Sequence, residues 1–370
     1  MQQTSAIYVH IPFCKARCGY CAFSSCVNFD LQERYFDALL REIDEATPSS
    51  CVETMFWGGG TPSAVDVKYL QMLFQKLSQK FDLSHLQEFT VECNPESTTE
   101  ELLGFFRKIG VNRLSFGLQS ANDQTLKRIG RLHTYRQFLN ALNMALAHGF
   151  SNVNADLILG LPESESDFQR TVCEVCQLPL KHVSLYALEI HDENTNFKKI
   201  CQSFSHSDDQ LADMYDFAMQ KFAKKGFLRY EVSNFAQDGF ACEHNCAYWK
   251  EQRYYGFGAS ASGFLQNVRY TNVFSVREYV NANGSVRAFE EQISAQEEAC
   301  EFVMLGLRLQ QGISLAEFSK RFSSDFFAAF PASEGLLKNG FLQLCDGRIS
   351  VPPDKFYVLN SILVELLPNL

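Results

Sequence analysis

Short β-rich runs alternate with helical patterns over the first half of the chain. The runs span residues 7–11, 54–57, 88–93, 113–118, 153–159 and 183–188. Between them, apolar residues recur at helical spacing. Leu31, Tyr35, Leu39 and Ile43 line one face, with Asp30 as a predicted N-cap and Glu33 at the capping-box position. Leu70, Leu73, Phe74 and Leu77 form a second stripe, and Leu102, Leu103, Phe106 and Ile109 a third. Leu142 and Leu146 lead to Gly149, a predicted helix-ending glycine, and Phe168, Val172 and Val175 mark a fifth helix. Six strands alternating with helices predict right-handed βαβ units and a parallel sheet. Six strands are too few for an eight-stranded barrel, which leaves an open partial barrel or a doubly wound sheet. Either gathers ligands at the C-terminal ends of its strands.

The pattern changes near Gly226. Residues 227–232 read as a further strand. Residues 236–272 are rich in Gly, Asn, Ser and aromatics and read as a long irregular stretch of a kind that binds something. Helical patterns return from Ala288, including 300–309. A hairpin is predicted around Asp346-Gly347, then a helix over 355–367. The expected organisation is an α/β partial barrel over 1–235, an irregular segment over 236–287, and a helical, winged-helix-like module over 288–370.

Composition narrows the class. The 370 residues are 46% hydrophobic and 21% charged, an ordinary globular mixture. A net charge of −10 argues against a nucleic-acid surface, including for the C-terminal module, which carries no basic stripe. That module reads as a cover over the barrel mouth or a docking surface. Apolar stretches break well short of the roughly 18 residues that span a bilayer. Residues 1–8 hold no Lys or Arg and no long apolar run, so they do not read as a secretory signal. Thirteen cysteines, an odd number scattered along the chain, are no disulfide framework, and a reduced, cytoplasmic protein is expected.

Three of those cysteines carry chemistry. Cys14, Cys18 and Cys21 follow the first strand in the run Ile11-Pro12-Phe13-Cys14-Lys15-Ala16-Arg17-Cys18-Gly19-Tyr20-Cys21. Three thiolates can hold three irons of a [4Fe–4S] cube and leave the fourth open to a small molecule. Zinc would need a fourth ligand, for which Cys26 or His10 is at hand. Gly58-Gly59-Gly60-Thr61-Pro62 follows the second strand, so both features fall at the same end of the sheet. Cys173 and Cys176 form a CxxC on an apolar helical stripe and read as packing.

The pattern Cys-x3-Cys-x-aromatic-Cys resembles the radical S-adenosylmethionine (SAM) superfamily, and specifically its oxygen-independent coproporphyrinogen III oxidase branch. The resemblance implies an open partial (β/α)6 barrel, a [4Fe–4S] cluster on Cys14, Cys18 and Cys21, and SAM chelated to the open iron. It further implies SAM contacts at Tyr8, Tyr20, Gly59, Gly60, Thr61, Glu92, Gln119, Arg131, Asp156 and Ala187. The cluster's electron would cleave the SAM sulfonium bond.

Two departures separate the chain from the decarboxylases. Phe23 stands where they carry a fourth cysteine, and the first cysteine is already residue 14, leaving little room for their N-terminal arm. The run His244-Asn245-Cys246-Ala247-Tyr248-Trp249 instead is similar to the His-Asn-x-x-Tyr-Trp hallmark of the HemW heme chaperones. That likeness implies heme binding, with His244 as axial ligand and Tyr248 and Trp249 as flat apolar faces. A structural role for the same residues, with His244 fixing a loop and Trp249 in a core, stays open. The leading expectation is a heme carrier that serves an acceptor protein. The rival is an enzyme that decarboxylates coproporphyrinogen III to protoporphyrinogen IX. Either would draw electrons from a donor such as flavodoxin or ferredoxin, and the resemblance admits a homodimer and a peripheral membrane contact.

Overall fold

The computed structural model describes residues 4–48, 51–190, 195–284 and 286–367. Residues 1–3, part of the segment read above for a signal, lie outside the described residues. The first half runs β1 (Thr4–Ile11), α1 (Gln32–Glu45), β2 (Cys51–Gly59), α2 (Val67–Lys80), β3 (Glu88–Cys93), α3 (Glu100–Lys108) and β4 (Arg113–Gln119). It continues through α4 (Asp123–Arg128), α5 (Tyr135–Ala147), β5 (Asn152–Leu159), α6 (Glu165–Val175) and β6 (His182–Ala187). After α7 (Thr195–Gln202) and α8 (Asp208–Lys224) come the short strands β7 (Leu228–Arg229) and β8 (Asn234–Ala236).

Strands β1 to β6 pair in chain order and in parallel. Their residues alternate between two environments. Ile7, Val9, Met55, Trp57, Phe89, Val91, Leu114, Phe116, Val153, Ala155 and Val183 point to the helices and form the main core. The intervening positions are polar: Thr54, Glu88, Thr90, Glu92, Arg113, Ser115, Asn154, Asp156, His182 and Ser184. A parallel sheet covered by helices on both faces would be apolar on both. This one bends until residues of β2 through β6 line a single polar cavity, a lumen of about 530 Å³.

Residues 236–272, expected to be irregular, are mostly regular. They hold α9 (Glu243–Trp249), β9 (Arg253–Phe257), β10 (Ser262–Leu265) and β11 (Val268–Asn272), followed by α10 (Val276–Asn281) and β12 (Arg287–Gln292). β9 adds in parallel to β1, and β10, β11 and β12 extend that edge antiparallel. Glycines and aromatics disguised the strands. Gly256 and Gly263 lie where an added Cβ would meet Ser262 O at 1.8 Å and the Tyr270 ring at 2.2 Å, so neither tolerates a side chain.

Two other boundaries differ from expectation. Asp30 lies inside a 3-10 turn, Phe29–Leu31, whose cap is Asn28, and α1 starts two residues later. The strand expected over 227–232 breaks at Glu231, whose buried carboxylate accepts from Ser233 N at 3.2 Å and turns the chain into β8.

The C-terminal module comprises α11 (Ala295–Gly306), β13 (Ile313–Ser314), α12 (Leu315–Phe322), α13 (Phe326–Ala329), α14 (Ala332–Lys338), β14 (Gln343–Cys345), β15 (Arg348–Ser350) and α15 (Leu359–Leu366). It has its own core around Phe302, Phe318, Phe326 and Ile349. Asp346 and Gly347 both take positive φ, as a tight hairpin turn requires. The module packs against α9 and the 229–231 segment, where Gln310 N donates to Tyr230 O and Arg321 pairs with Glu251. Its α11 and α12 therefore lie toward the N-terminal end of the barrel strands, while Phe356 and Tyr357 share a cavity with Leu159 and Ala187 at the ends of β5 and β6. No helix among the described residues is long and apolar enough to cross a membrane.

One face of α1 bolts the sheet extension to the barrel. Glu42 accepts from Gly258 N (2.8 Å), Asn272 Nδ2 (2.6 Å) and Tyr279 OH (2.5 Å), and Tyr35, one heptad earlier, accepts from Ala259 N. Glu42→Leu keeps the volume but leaves Gly258 N and Tyr279 OH without a partner, while Asn272 Nδ2 keeps its bond to Gly258 O. At about 1–3 kcal/mol for each orphaned group, we expect a loss of about 2 kcal/mol or more, read from the urea midpoint. An unchanged midpoint would show the network to be dispensable.

Candidate functional site

The loop after β1 is held on both sides. Cys14 N donates to Cys26 O and Cys26 N to Pro12 O, which closes a tight lariat, while Gly19 N donates to Ile129 O. Cys14, Cys18 and Cys21 line one wall of a pocket of about 130 Å³ that adjoins the lumen, each half-buried. Burial pushes the Cys14 thiol up to about 11, against the Thr61 hydrogen bond, and the neighbouring cysteines add repulsion. Burial likewise raises Cys21. Iron would reverse this, since a bound cation favours thiolate. Each iron of a cube takes its own thiolate, so the sulfurs need not converge on one point. Among the described residues no three such donors converge to hold a single ion. Neither suggested fourth ligand turns inward. His10 spends both ring nitrogens, Nδ1 on Tyr8 OH (3.1 Å) and Nε2 on Ser24 O (2.8 Å), and Cys26 Sγ faces Asn28 O. Phe23 is 67% exposed at the cavity rim.

The glycine run makes the second wall. Gly59 takes φ +105°, and an added Cβ would strike the His10 ring at 2.4 Å; at Gly60 it would strike Pro12 C at 2.4 Å. Gly59 N donates to Glu92 Oε2 (2.9 Å), and Thr61 Oγ1 donates to Cys14 Sγ (3.4 Å). Burial, then the charge of Asp156, raises the Glu92 carboxyl to about 7. Asp156 accepts from Asn154 Nδ2 (2.8 Å) and Ser115 Oγ (3.3 Å). Gln119 ends β4 at φ +72°, inside a register shift that turns it into the cavity. Arg131 donates to Gly117 O (2.6 Å) and Asn94 Oδ1 (2.7 Å), approaches Cys18 Sγ at 3.8 Å, and keeps a buried Nε without a partner. Burial disfavours its cation, but Tyr20, Cys18 and Glu96 outweigh that. These groups fit a cube and an amino-acid cofactor: thiols on one side, backbone polar groups and carboxylates opposite, and a spare buried donor between.

Most of the expected SAM residues therefore meet in one place. Tyr20, Gly59, Gly60, Thr61, Glu92, Gln119, Arg131 and Asp156 line the wall with the cysteines, and Ala187 lines the adjoining lumen. Tyr8 stands one layer deeper, with its hydroxyl on His10. Asn94, which sequence reasoning passed over, ties Thr61 to Arg131.

The floor of the lumen is α9. Glu88, the first residue of β3, accepts from the N–H groups of Glu243 (2.9 Å) and His244 (3.3 Å) and from Cys242 Sγ. His244 is 1% exposed, with Nδ1 on Thr54 Oγ1 and Nε2 on Tyr248 OH, both 2.9 Å, and its ring stacks on Phe56. Burial lowers its pKa to about 3, so it stays neutral. The axial-ligand expectation is not met by this geometry, because neither nitrogen is free to reach iron. Tyr248 likewise faces inward, edge-on to Tyr254. Trp249 alone of the three turns outward, into a crevice with Phe302, Leu309 and Arg348, and its buried Nε1 has no partner.

Residues 8–173 match the model of the radical SAM superfamily, and 293–354 that of the HemN C-terminal domain. The heme chaperone HemW of Lactococcus lactis is 35% identical, over 99% of this chain and 97% of its own. That of Bacillus subtilis is 32% identical, over 90% and 92%. Coproporphyrinogen III oxidase (HemN) of Escherichia coli, a radical SAM enzyme, superposes with TM-score 0.87 and 21% identity, covering 100% of this chain and 91% of that one, a likeness of fold.

The raised Glu92 carboxyl sets a pH dependence. A cationic ligand such as SAM favours the ionised form, which grows as pH rises through about 7. With that value SAM should bind about tenfold more tightly at pH 8 than at pH 6, by equilibrium dialysis of the cluster-loaded protein. Glu92→Gln should flatten the profile. An equally steep profile in that variant would assign the titration to another group.

Proposed function

Since the chain belongs to the HemW heme chaperone family within the radical SAM superfamily, we propose that it binds heme and passes it to an acceptor protein. In this reading Cys14, Cys18 and Cys21 would hold a [4Fe–4S] cluster, and its electron would come from a donor of the flavodoxin or ferredoxin class. Gly59, Gly60 and Thr61 would hold SAM along the glycine wall, Glu92 and Arg131 its charged end, and Asp156 its ribose. When bound, the pair supplies a redox-active centre; the chain orients it and keeps water from its deep side. The observation that carries the reading is full-length likeness to HemW proteins combined with Phe23, exposed at the position of the decarboxylases' fourth cysteine. Heme is assigned to the outward end of α9, where Trp249 offers a flat apolar face beside Phe302 and Leu309.

Anaerobic heme titration of the full chain should give a saturable Soret shift at one equivalent, weakened about tenfold or more by Trp249→Ala, since an aromatic face contributes on the order of 1 kcal/mol beyond its area. No shift in the unaltered protein would end the heme reading. Cys14→Ala, Cys18→Ala and Cys21→Ala should each lose the visible absorption and the iron and sulfide of the reconstituted cluster. Full iron and sulfide in any one of them would remove that cysteine from the ligand set.

A further inference from the structure

His244 and Asn245 are adjacent on one turn of α9, yet they face different neighbours. The His244 imidazole is spent on Thr54 and Tyr248 and sealed against Phe56. Asn245 instead lines the lumen, in the same cavity as Asp156, Ser184 and Ala187. Its carboxamide makes no hydrogen bond to the described residues, although the polar side chains around it are extensively paired: Asn154 with Ser115, Asp156 and His182, and Asp156 with Ser115. A half-buried amide left uncommitted in a polar cavity holds two donors and an acceptor ready for a ligand. The helix that carries it has no freedom to withdraw: Glu88 holds its first turn, and the Thr54–His244–Tyr248 chain ties it to β2.

We propose that Asn245 contacts the adenosine portion of SAM from the floor of the lumen, and that His244 is a positioning residue that holds it there. The pair then serves the SAM cavity and not the heme iron. This rests on the proposed assignment of SAM to the lumen, and it separates the two halves of the hallmark run: His244 and Asn245 act inward, Trp249 outward. Thr54 and Tyr248 are part of the same mount, because each offers one hydroxyl to one ring nitrogen. A neutral imidazole, donor on one side and acceptor on the other, satisfies both.

The test is equilibrium dialysis of labelled SAM against the cluster-reconstituted full chain, with a parallel heme titration. Asn245→Ala removes an amide that supports nothing else, so the fold should hold, as circular dichroism will check. SAM affinity should fall about tenfold, the worth of one good hydrogen bond, while the Soret midpoint stays within twofold. Asn245→Ser, which keeps one short donor, should fall between. His244→Ala should weaken SAM as well, and His244→Gln, which can retain the Tyr248 bond, should recover part of the loss; a purely structural defect would not show that graded recovery. SAM affinity within twofold of the unaltered protein in Asn245→Ala overturns the proposal. So does loss of the Soret shift with SAM binding intact. Absence of a Soret shift in the unaltered protein ends the heme reading alone, because the SAM comparison is read independently of it.

Discussion

The barrel strands carry charges and hydroxyls on the face that a doubly covered sheet would make apolar, and that face must be enclosed without leaving its polar groups unpaired. An orphaned buried carboxylate or guanidinium costs several kcal/mol, more than the fold can spare at many positions. The structure meets the constraint in layers. At the bottom, Glu88 is neutralised by backbone N–H groups of α9 and by nearby Arg113, whose cation the surrounding Cys242, Glu88 and Tyr230 help hold against burial. In the middle, Asn154 joins Ser115, Asp156 and His182 into one chain of hydrogen bonds. At the top, groups remain in tension: the charge of Asp156 raises the Glu92 carboxyl, and the thiols repel. That tension at the top is what a cationic nucleotide and an iron cluster would relieve.

The same constraint explains why the second half of the chain folds as it does. A floor is needed under the lumen, and α9 supplies it only if it is anchored on several sides. β9 carries the chain from α9 back along β1, and the antiparallel strands beyond it are clamped by Glu42. The C-terminal module then packs beneath, with Arg321 reaching Glu251 at the end of the floor helix. Burial raises the Glu251 carboxyl to about 8 despite that cation, so this junction holds another charge short of full compensation.

Much of this was legible in the residue pattern. The six strands, the stripe of each covering helix and the hairpin at Asp346-Gly347 follow from periodicity and turn chemistry, because their side chains obey local rules. The cysteine and glycine runs stood out for the same reason. Less legible was anything whose meaning lies in a partner distant in sequence. Glu88 and His244, 156 residues apart, make sense only together, and Glu42 reads as an exposed helix residue until Asn272 and Tyr279 arrive. One available signal went unused: the alternation Glu88, Thr90, Glu92 in β3, with Asn154 and Asp156 in β5, announces a polar inner face. The strands β9 to β11 were hidden because Gly256 and Gly263 sit where the Ser262 backbone and the Tyr270 ring leave no room for a side chain, so their sequence resembles a loop.

His244 shows why a motif and a role have to be separated. Imidazole is a good iron ligand when one nitrogen is free, and the hallmark run places it among aromatics, which suits heme on paper. In the fold, its neighbours are Thr54, Phe56 and Tyr248, both ring nitrogens are taken, and the residue is 1% exposed. Bringing that ring to an iron would break two buried hydrogen bonds and the floor of the lumen with them. Two groups on α9 stay uncommitted on opposite sides: the Asn245 amide facing the lumen and the Trp249 indole facing the crevice with the C-terminal module. The helix thus offers one uncommitted group on each side and is held between them by Glu88, Thr54 and Tyr248. The imidazole at its centre is the fastening on which that arrangement depends.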